Sequence, residues 1–230
     1  MDEATEVIEL PLFPLKTVLF PGQVLPLHIF EARYQTMIRR CLADDSPFGV
    51  VLIREGQEVG AELADPHPVG TLTRIVESTH LPDGTMNIIT VGTERFRIRE
   101  LLRDQPYLRG QVETYPLPAP LDPDRVRGMA DKVRARVTRY IELIAEAAGL
   151  QIEVGEAPET PQQVGYLAAV AMQIDLDEKQ GLLGSDSLDQ ILLRELTLLN
   201  RENALLTWMA KTKKWPGQVQ FGPSGTLLPN

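Results

Sequence analysis

Cysteine, histidine and aromatic residues are scarce in this chain: of 230 residues, one is cysteine (Cys41), three are histidine and 6% are aromatic. A lone cysteine excludes an internal disulfide and any cysteine-based zinc cage, and it fits a reducing compartment, so the cytoplasm is the expected location. The histidines, His28, His67 and His80, are spread over separate segments. A metal site would need them to converge with acids, so none is expected. No apolar run approaches the roughly 18 residues of a membrane span. The opening Met1-Asp2-Glu3-Ala4-Thr5-Glu6 lacks the basic and apolar regions of a secretion signal. Neither export nor a membrane partner is expected.

Catalytic signatures are missing as well. No G-x-x-x-x-G-K-[ST] loop is present to cradle phosphates. Ser224, between Pro223 and Gly225, reads as a turn residue rather than a strained nucleophile. Asp44-Asp45 and Asp122 with Asp124 read as helix-end residues rather than an acid/base pair. The chain is therefore expected not to be an enzyme, with no catalytic residue and no cofactor. The net charge of −9 disfavours a nucleic-acid partner, but its distribution is uneven. Residues 71–140 carry twelve basic and nine acidic side chains, while the segments on either side are acidic.

What the chain does have is an apolar, proline-punctuated opening, Leu10 to Tyr34, LPLFPLKTVLFPGQVLPLHIFEARY. Pro11, Pro14, Pro21 and Pro26 each lack a backbone donor and push the preceding residue toward extended backbone, which excludes one long helix. Two apolar strands separated by a Pro21-Gly22 turn are predicted instead. From Glu31 the period changes: Tyr34, Met37, Ile38, Cys41 and Leu42 form the stripe of an amphipathic helix. Phe48 to Ile53 reads as a strand buried on both faces, and Arg54 to Pro68 as a surface loop. From Gly70 to Tyr115 the alternation predicts an antiparallel meander, with Pro82-Asp83-Gly84 as a hairpin turn and Arg95, Arg97 and Arg99 opposite Phe96 and Ile98.

The sequence P-L-F-P, then F-P-G, then P-L, then F-E-A-R-Y, followed by the Gly70-Thr71-Leu72 segment, the Asp83-Gly84 turn and Gly92-Thr93-Glu94-Arg95-Phe96, resembles the Lon protease N-terminal domain family. The resemblance covers roughly the first 115 residues. It implies a PUA-like twisted β-domain, a pseudo-barrel of mostly antiparallel strands, with helices after it. Members of that family with full-length chains carry ATPase and protease regions, whose motifs are not found here.

Pro116, Pro118 and Pro120 form a stiff connector. Beyond it, Asp122-Pro123 opens an amphipathic helix ending before Gly149, Thr160-Pro161 with Gln163 opens a second that runs to about Ile174, and Ser187 with Gln190 opens a long third. Glu178 to Leu183 adds a turn or two. The expected organisation is α+β: a β-domain over 1–118, a helical bundle over 119–214 and a C-terminal tail over 215–230.

Two binding surfaces are candidates. Leu19, Phe20, Pro21, Val24 and Leu25 around the first turn would form an apolar patch if exposed, suited to an unfolded or extended polypeptide segment or to a partner protein. A charge at Phe20 is then expected to weaken peptide binding without unfolding. The resemblance supports this surface, because it implies a role in recognising protein substrates, with an adaptor or a holdase as the roles open to a chain of this kind. The alternative is a nucleic-acid-binding face on Arg95, Arg97 and Arg99, joined by the arginines of the Asp122 helix. Interleaved acids and the lack of alternating aromatics weigh against it.

Overall fold

A computed structural model describes residues 7–57, 64–150 and 158–212, together with the backbone of 220–221 and 227–228. Its contacts divide the chain into two compact units, residues 1–116 and 117–230. The fold is α+β, as expected.

The first unit contains β1 (Val7–Leu15), β2 (Val24–Ile29), α1 (Ala32–Ala43), β3 (Phe48–Glu55), β4 (Asp65–Pro66), β5 (Val69–His80), β6 (Met86–Leu102) and β7 (Arg109–Thr114). The strand order β1-β7-β6-β5-β3 returns on itself, because β1 also pairs with β3. The first half of β1 runs antiparallel to β7, from Val7 opposite Glu113 to Pro11 opposite Arg109. Its second half runs parallel to β3, from Leu12 opposite Gly49 to Leu15 opposite Leu52. One strand thus serves two neighbours, which closes a mostly antiparallel pseudo-barrel and leaves β2 and β4 attached outside the ring. The two strands flanking Pro21-Gly22 do not pair with each other; β2 pairs with β6.

The apolar run of β1 supplies two cores. Phe13 and Leu15 pack with Tyr34, Met37, Ile38 and Cys41 of α1, and the Phe13 ring stacks on Tyr34 at 4.2 Å. Leu10 and Leu12 pack with Val51, Leu72, Phe96, Leu108 and Val112. Phe96 needs two glycines: a Cβ at Gly49 or Gly70 would stand 2.6 or 2.7 Å from its ring.

The second unit contains α2 (Pro123–Ala148), α3 (Pro161–Ala171), α4 (Leu176–Leu183) and α5 (Leu188–Thr212), and the short strands β8 (Gln220–Phe221) and β9 (Leu227–Leu228), which pair antiparallel. Local signals set the helix starts. The Asp122 carboxylate accepts from the Arg125 N–H with Pro123 in the first turn, and α2 ends on Gly149 in the left-handed conformation, φ 66°. Thr160 and Gln163 form a reciprocal capping box on α3. At α5 the box is incomplete: Ser187 Oγ accepts from the Gln190 N–H, but the Gln190 side chain accepts from Asp186 instead.

Helix α3 stops at Ala171 rather than near Ile174. Met172 turns extended and buried, and the Gln173 N–H donates to the Tyr140 hydroxyl at 2.9 Å, so a tertiary partner takes a donor that a longer helix would have used. Parallel packing of α2 on α5 is marked by Arg125 near Asp189, Arg136 bonded to Asn200, and Asn203 donating to the Arg136 carbonyl. Among the described residues no helix is long and apolar enough to cross a membrane. The tail expected over 215–230 lies outside the described residues apart from the backbone of β8 and β9.

Candidate functional site

Beyond the barrel wall, β2, the first half of β6 and the end of β5 form a three-stranded ribbon. Leu25 pairs with Thr90 and Leu27 with Ile88, while Ile75 pairs with Thr90 from the other side. Strand alternation sends Leu25, Leu27, Ile29, Met86, Ile88 and Ile75 inward onto the α1 core. The opposite face carries Val24, Pro26, His28 and Phe30 from β2 and the residue after it, and Asn87, Ile89 and Val91 from β6. A bulge between Ile75 and Glu77 adds Val76. On this outer side Val24, Phe30, Val76 and Ile89 are 50, 53, 61 and 37% exposed. Four large apolar side chains so close together on one small ribbon form a patch, not scattered surface residues.

One end of the patch is held by polar contacts. The His28 Nδ1 and the Asn87 Oδ1, opposite each other in the register, are 2.7 Å apart, and the Phe30 ring lies 6.0 Å from the His28 ring at 22°. At the other end, the Gln23 carbonyl accepts from Gly92 and the Gly22 N–H donates to the Gly92 carbonyl, anchoring the turn into β2. The alternation that follows points the backbone groups of Leu25 and Leu27 at β6 and those of Val24, Pro26 and His28 away. Pro26 therefore sits on the open edge with no N–H to offer. Addition of another strand is disfavoured there, so the exposed apolar feature of the ribbon is its face rather than its edge.

The expected patch residues divide. Val24 is on the exposed face, Pro21 is half-buried in the turn, and Leu25 is half-buried against the core. Leu19 and Phe20 are corrected: at 2% and 1% exposure they belong to the interior. The Thr71 hydroxyl donates to the Leu19 carbonyl at 2.5 Å, the Phe20 N–H donates to Gln23 at 3.1 Å, and the absent side chain of Gly92 lets the Phe20 carbonyl approach to 2.6 Å of where a Cβ would stand. A charge at Phe20 would thus damage the fold instead of selectively weakening binding. Sequence reasoning missed Phe30, Val76 and Ile89. The signal was there in the adjacent pairs Ile75-Val76 and Ile88-Ile89: within a half-buried strand, two successive large apolar residues force one of them outward.

The arginine face is also corrected. Arg95 is buried, not solvated, with its guanidinium 4.5 Å from the centre of the Tyr115 ring, and Arg97 lies over the same ring at 4.0 Å. Arg99 is paired with Glu113 at 2.7 Å. A bulge between Ile98 and Glu100 interrupts the alternation that would have put all three on one face. On α2, Arg127, Arg134 and Arg139 pair with Asp124, Asp131 and Glu142 one turn away. These cations are committed to stacking or ion pairs, which does not favour phosphate binding. Among the described residues no group of three or more histidine, cysteine or carboxylate side chains that could hold a metal ion occurs.

A model of the ATP-dependent protease La (LON) substrate-binding domain matches residues 9–201. The chain belongs to this family. Among curated relatives, it is 29% identical over 198 residues to a Lon protease of Anaeromyxobacter dehalogenans and, also over 198 residues, 29% identical to Lon protease 2 of Myxococcus xanthus. Each alignment covers 86% of this chain but 24% of the relative, so the chain spans about a quarter of the length of these proteases. The crystal structure of a Lon N-terminal domain protein from Xanthomonas campestris superposes with a TM-score of 0.60 at 27% identity, covering 83% of this chain and 98% of that one. The N-terminal domain of Lon protease from the Mycobacterium avium complex superposes at 0.58 with 14% identity, covering 86% and 98%, which speaks for the fold alone. The matching family model describes a substrate-binding domain, and this chain shares its fold.

Proposed function

We propose that this chain is a non-catalytic polypeptide-recognition module that takes extended, apolar segments of unfolded proteins on the outer face of the β2–β6–β5 ribbon. The observation that supports it is the exposed set Val24, Phe30, Val76 and Ile89 on a ribbon whose open edge is blunted by Pro26. The face is almost uncharged, with Arg74 and Glu77 of opposite sign on the β5 side. It therefore calls for an apolar occupant, and binding should tolerate salt. We assign this role to the β-domain, 1–118, with the helices of 119–214 and the tail of 215–230 as separate parts. The module acts as an adaptor or a holdase in the cytoplasm.

The test is fluorescence anisotropy of a labelled, permanently unfolded polypeptide with the full chain and with Val24→Asp and Ile89→Asp. Losing one buried aliphatic contact is worth about 1.5 kcal/mol, so each variant should bind roughly tenfold more weakly. Thermal unfolding should stay close to that of the unmodified chain for Val24→Asp, whose side chain is half exposed. It should fall modestly for Ile89→Asp, which is 37% exposed in a strand paired on both sides, so the affinity of Val24→Asp decides. Equal affinity in both variants would remove the ribbon face from the reading. The mass of the recovered polypeptide should also be unchanged after incubation, whereas fragments would show that the chain has a hydrolytic activity of its own.

A further inference from the structure

Glu195 of α5 is fully buried, and neither carboxyl oxygen has a hydrogen-bond partner among the described residues. Its surroundings explain why this is unusual. One helical turn away on either side stand Ile191, Leu192, Leu198 and Leu199, all aliphatic. Facing it, α3 contains no charged residue, and Gly165 leaves the space in which the carboxyl group lies, 3.6 Å from where a Cβ would stand. On the buried face of α2 the titratable group is Tyr140, whose hydroxyl accepts from Gln173 and whose own pKa is pushed up to about 12 by burial. From α4, Lys179 directs its Nζ to the Val170 carbonyl at 3.4 Å. Among the described residues no cation is bonded to Glu195, and burial pushes its carboxyl well above the usual range.

We propose that Glu195 is a proton-operated latch between α3 and α5, holding the two helices packed at Gly165 while it carries a proton and releasing α3 when the proton is lost. An ionised carboxylate without a partner is strongly disfavoured among aliphatic side chains, and opening the interface to water is the available relief. The native value lies above the unfolded one. The contribution of Glu195 is thus whole below the unfolded carboxyl pKa and is lost as pH rises toward the native value. Across that window the opening constant of α3 should climb about tenfold per pH unit.

The test is hydrogen exchange of the α3 amides in the full chain and in Glu195→Gln, which keeps the shape and cannot ionise. Comparing the two at each pH cancels the intrinsic exchange rate. The ratio of opening constants, unmodified over variant, should rise about tenfold per pH unit within the window, and a flat ratio overturns the latch. If the variant does not fold, carbon-13 titration of the glutamate carboxyls of the unmodified protein decides instead. The Glu195 resonance should still be that of the acid at pH values where the surface glutamates are already ionised. An ionised Glu195 there overturns the proposal.

Discussion

The two units of this chain reach stable packing by opposite routes. In the barrel unit, partners are far apart in sequence: β1 closes the sheet by pairing with β7, about a hundred residues on, and with β3. Core side chains at Gly49 and backbone carbonyls at Gly70 and Gly92 come so close that none of the three has room for a side chain. In the helical unit the starts of α2 and α3 and the stop of α2 are written within a few residues, by Asp122, Thr160 with Gln163, and Gly149. There the glycine at the α3–α5 interface has room for a methyl group, since a Cβ at Gly165 would meet its neighbours in ordinary contact at 3.4 to 3.7 Å. A closed sheet fixes its interior volume from all sides, whereas a helix pair can shift along its ridges. The same substitution should therefore have opposite signs in the two units.

The largest effect should come from Phe20→Asp. It places an unpaired carboxylate at a fully buried position, and equilibrium denaturation should register a loss of about 4 kcal/mol or more. A small loss would mean that the Leu19-Phe20 segment can move outward and that the exposed-patch reading around it should be restored. Next is Gly70→Ala. The new Cβ would fall 2.6 Å from the Val50 carbonyl oxygen, which is backbone and cannot rotate away. A loss of about 1 to 3 kcal/mol in urea titrations is expected. Thr160→Ala removes one half of the α3 capping box and should cost about 1 kcal/mol, seen as faster exchange of the first-turn amides. Smallest, and opposite in sign, is Gly165→Ala. It adds helix propensity without a clash and should stabilise by roughly 0.5 to 1 kcal/mol, raising the melting temperature. Were Gly165→Ala to cost as much as Gly70→Ala, the contrast between a closed sheet and an adjustable helix pair would fail.

Legibility followed the same division. The helix starts could be read because Asp122-Pro123 and Thr160-Pro161 with Gln163 are short-range chemistry, complete within the sequence itself. The end of α3 could not, because Tyr140, more than thirty residues earlier, takes the Gln173 N–H. In the barrel unit the strands were legible from alternation, but their partners were not: nothing in Pro21-Gly22 says that β2 goes to β6 rather than back to β1. The candidate site suffered most. Val24 and Leu25 are neighbours with the same character, and one is exposed while the other packs on α1. Phe20 has the composition of a docking residue and the position of a core residue. The three arginines of β6 read as a solvated face, but Arg95 and Arg97 are taken up by the Tyr115 ring and Arg99, beyond a bulge, by Glu113.

By itself the sequence determined the α+β class, the family, most of the helix boundaries and the absence of familiar catalytic motifs, since each rests on residues near one another or on a pattern of types. The tertiary structure alone decided which apolar residues remain on the surface and which carboxylate is buried. Exposure is a property of what packs on a residue, and in a sheet closed by long-range pairing that neighbour comes from elsewhere in the chain. Val24, Phe30, Val76 and Ile89 became a surface only when β5 and β6 met β2, and Glu195 became an isolated acid only when α3 brought Gly165 to it.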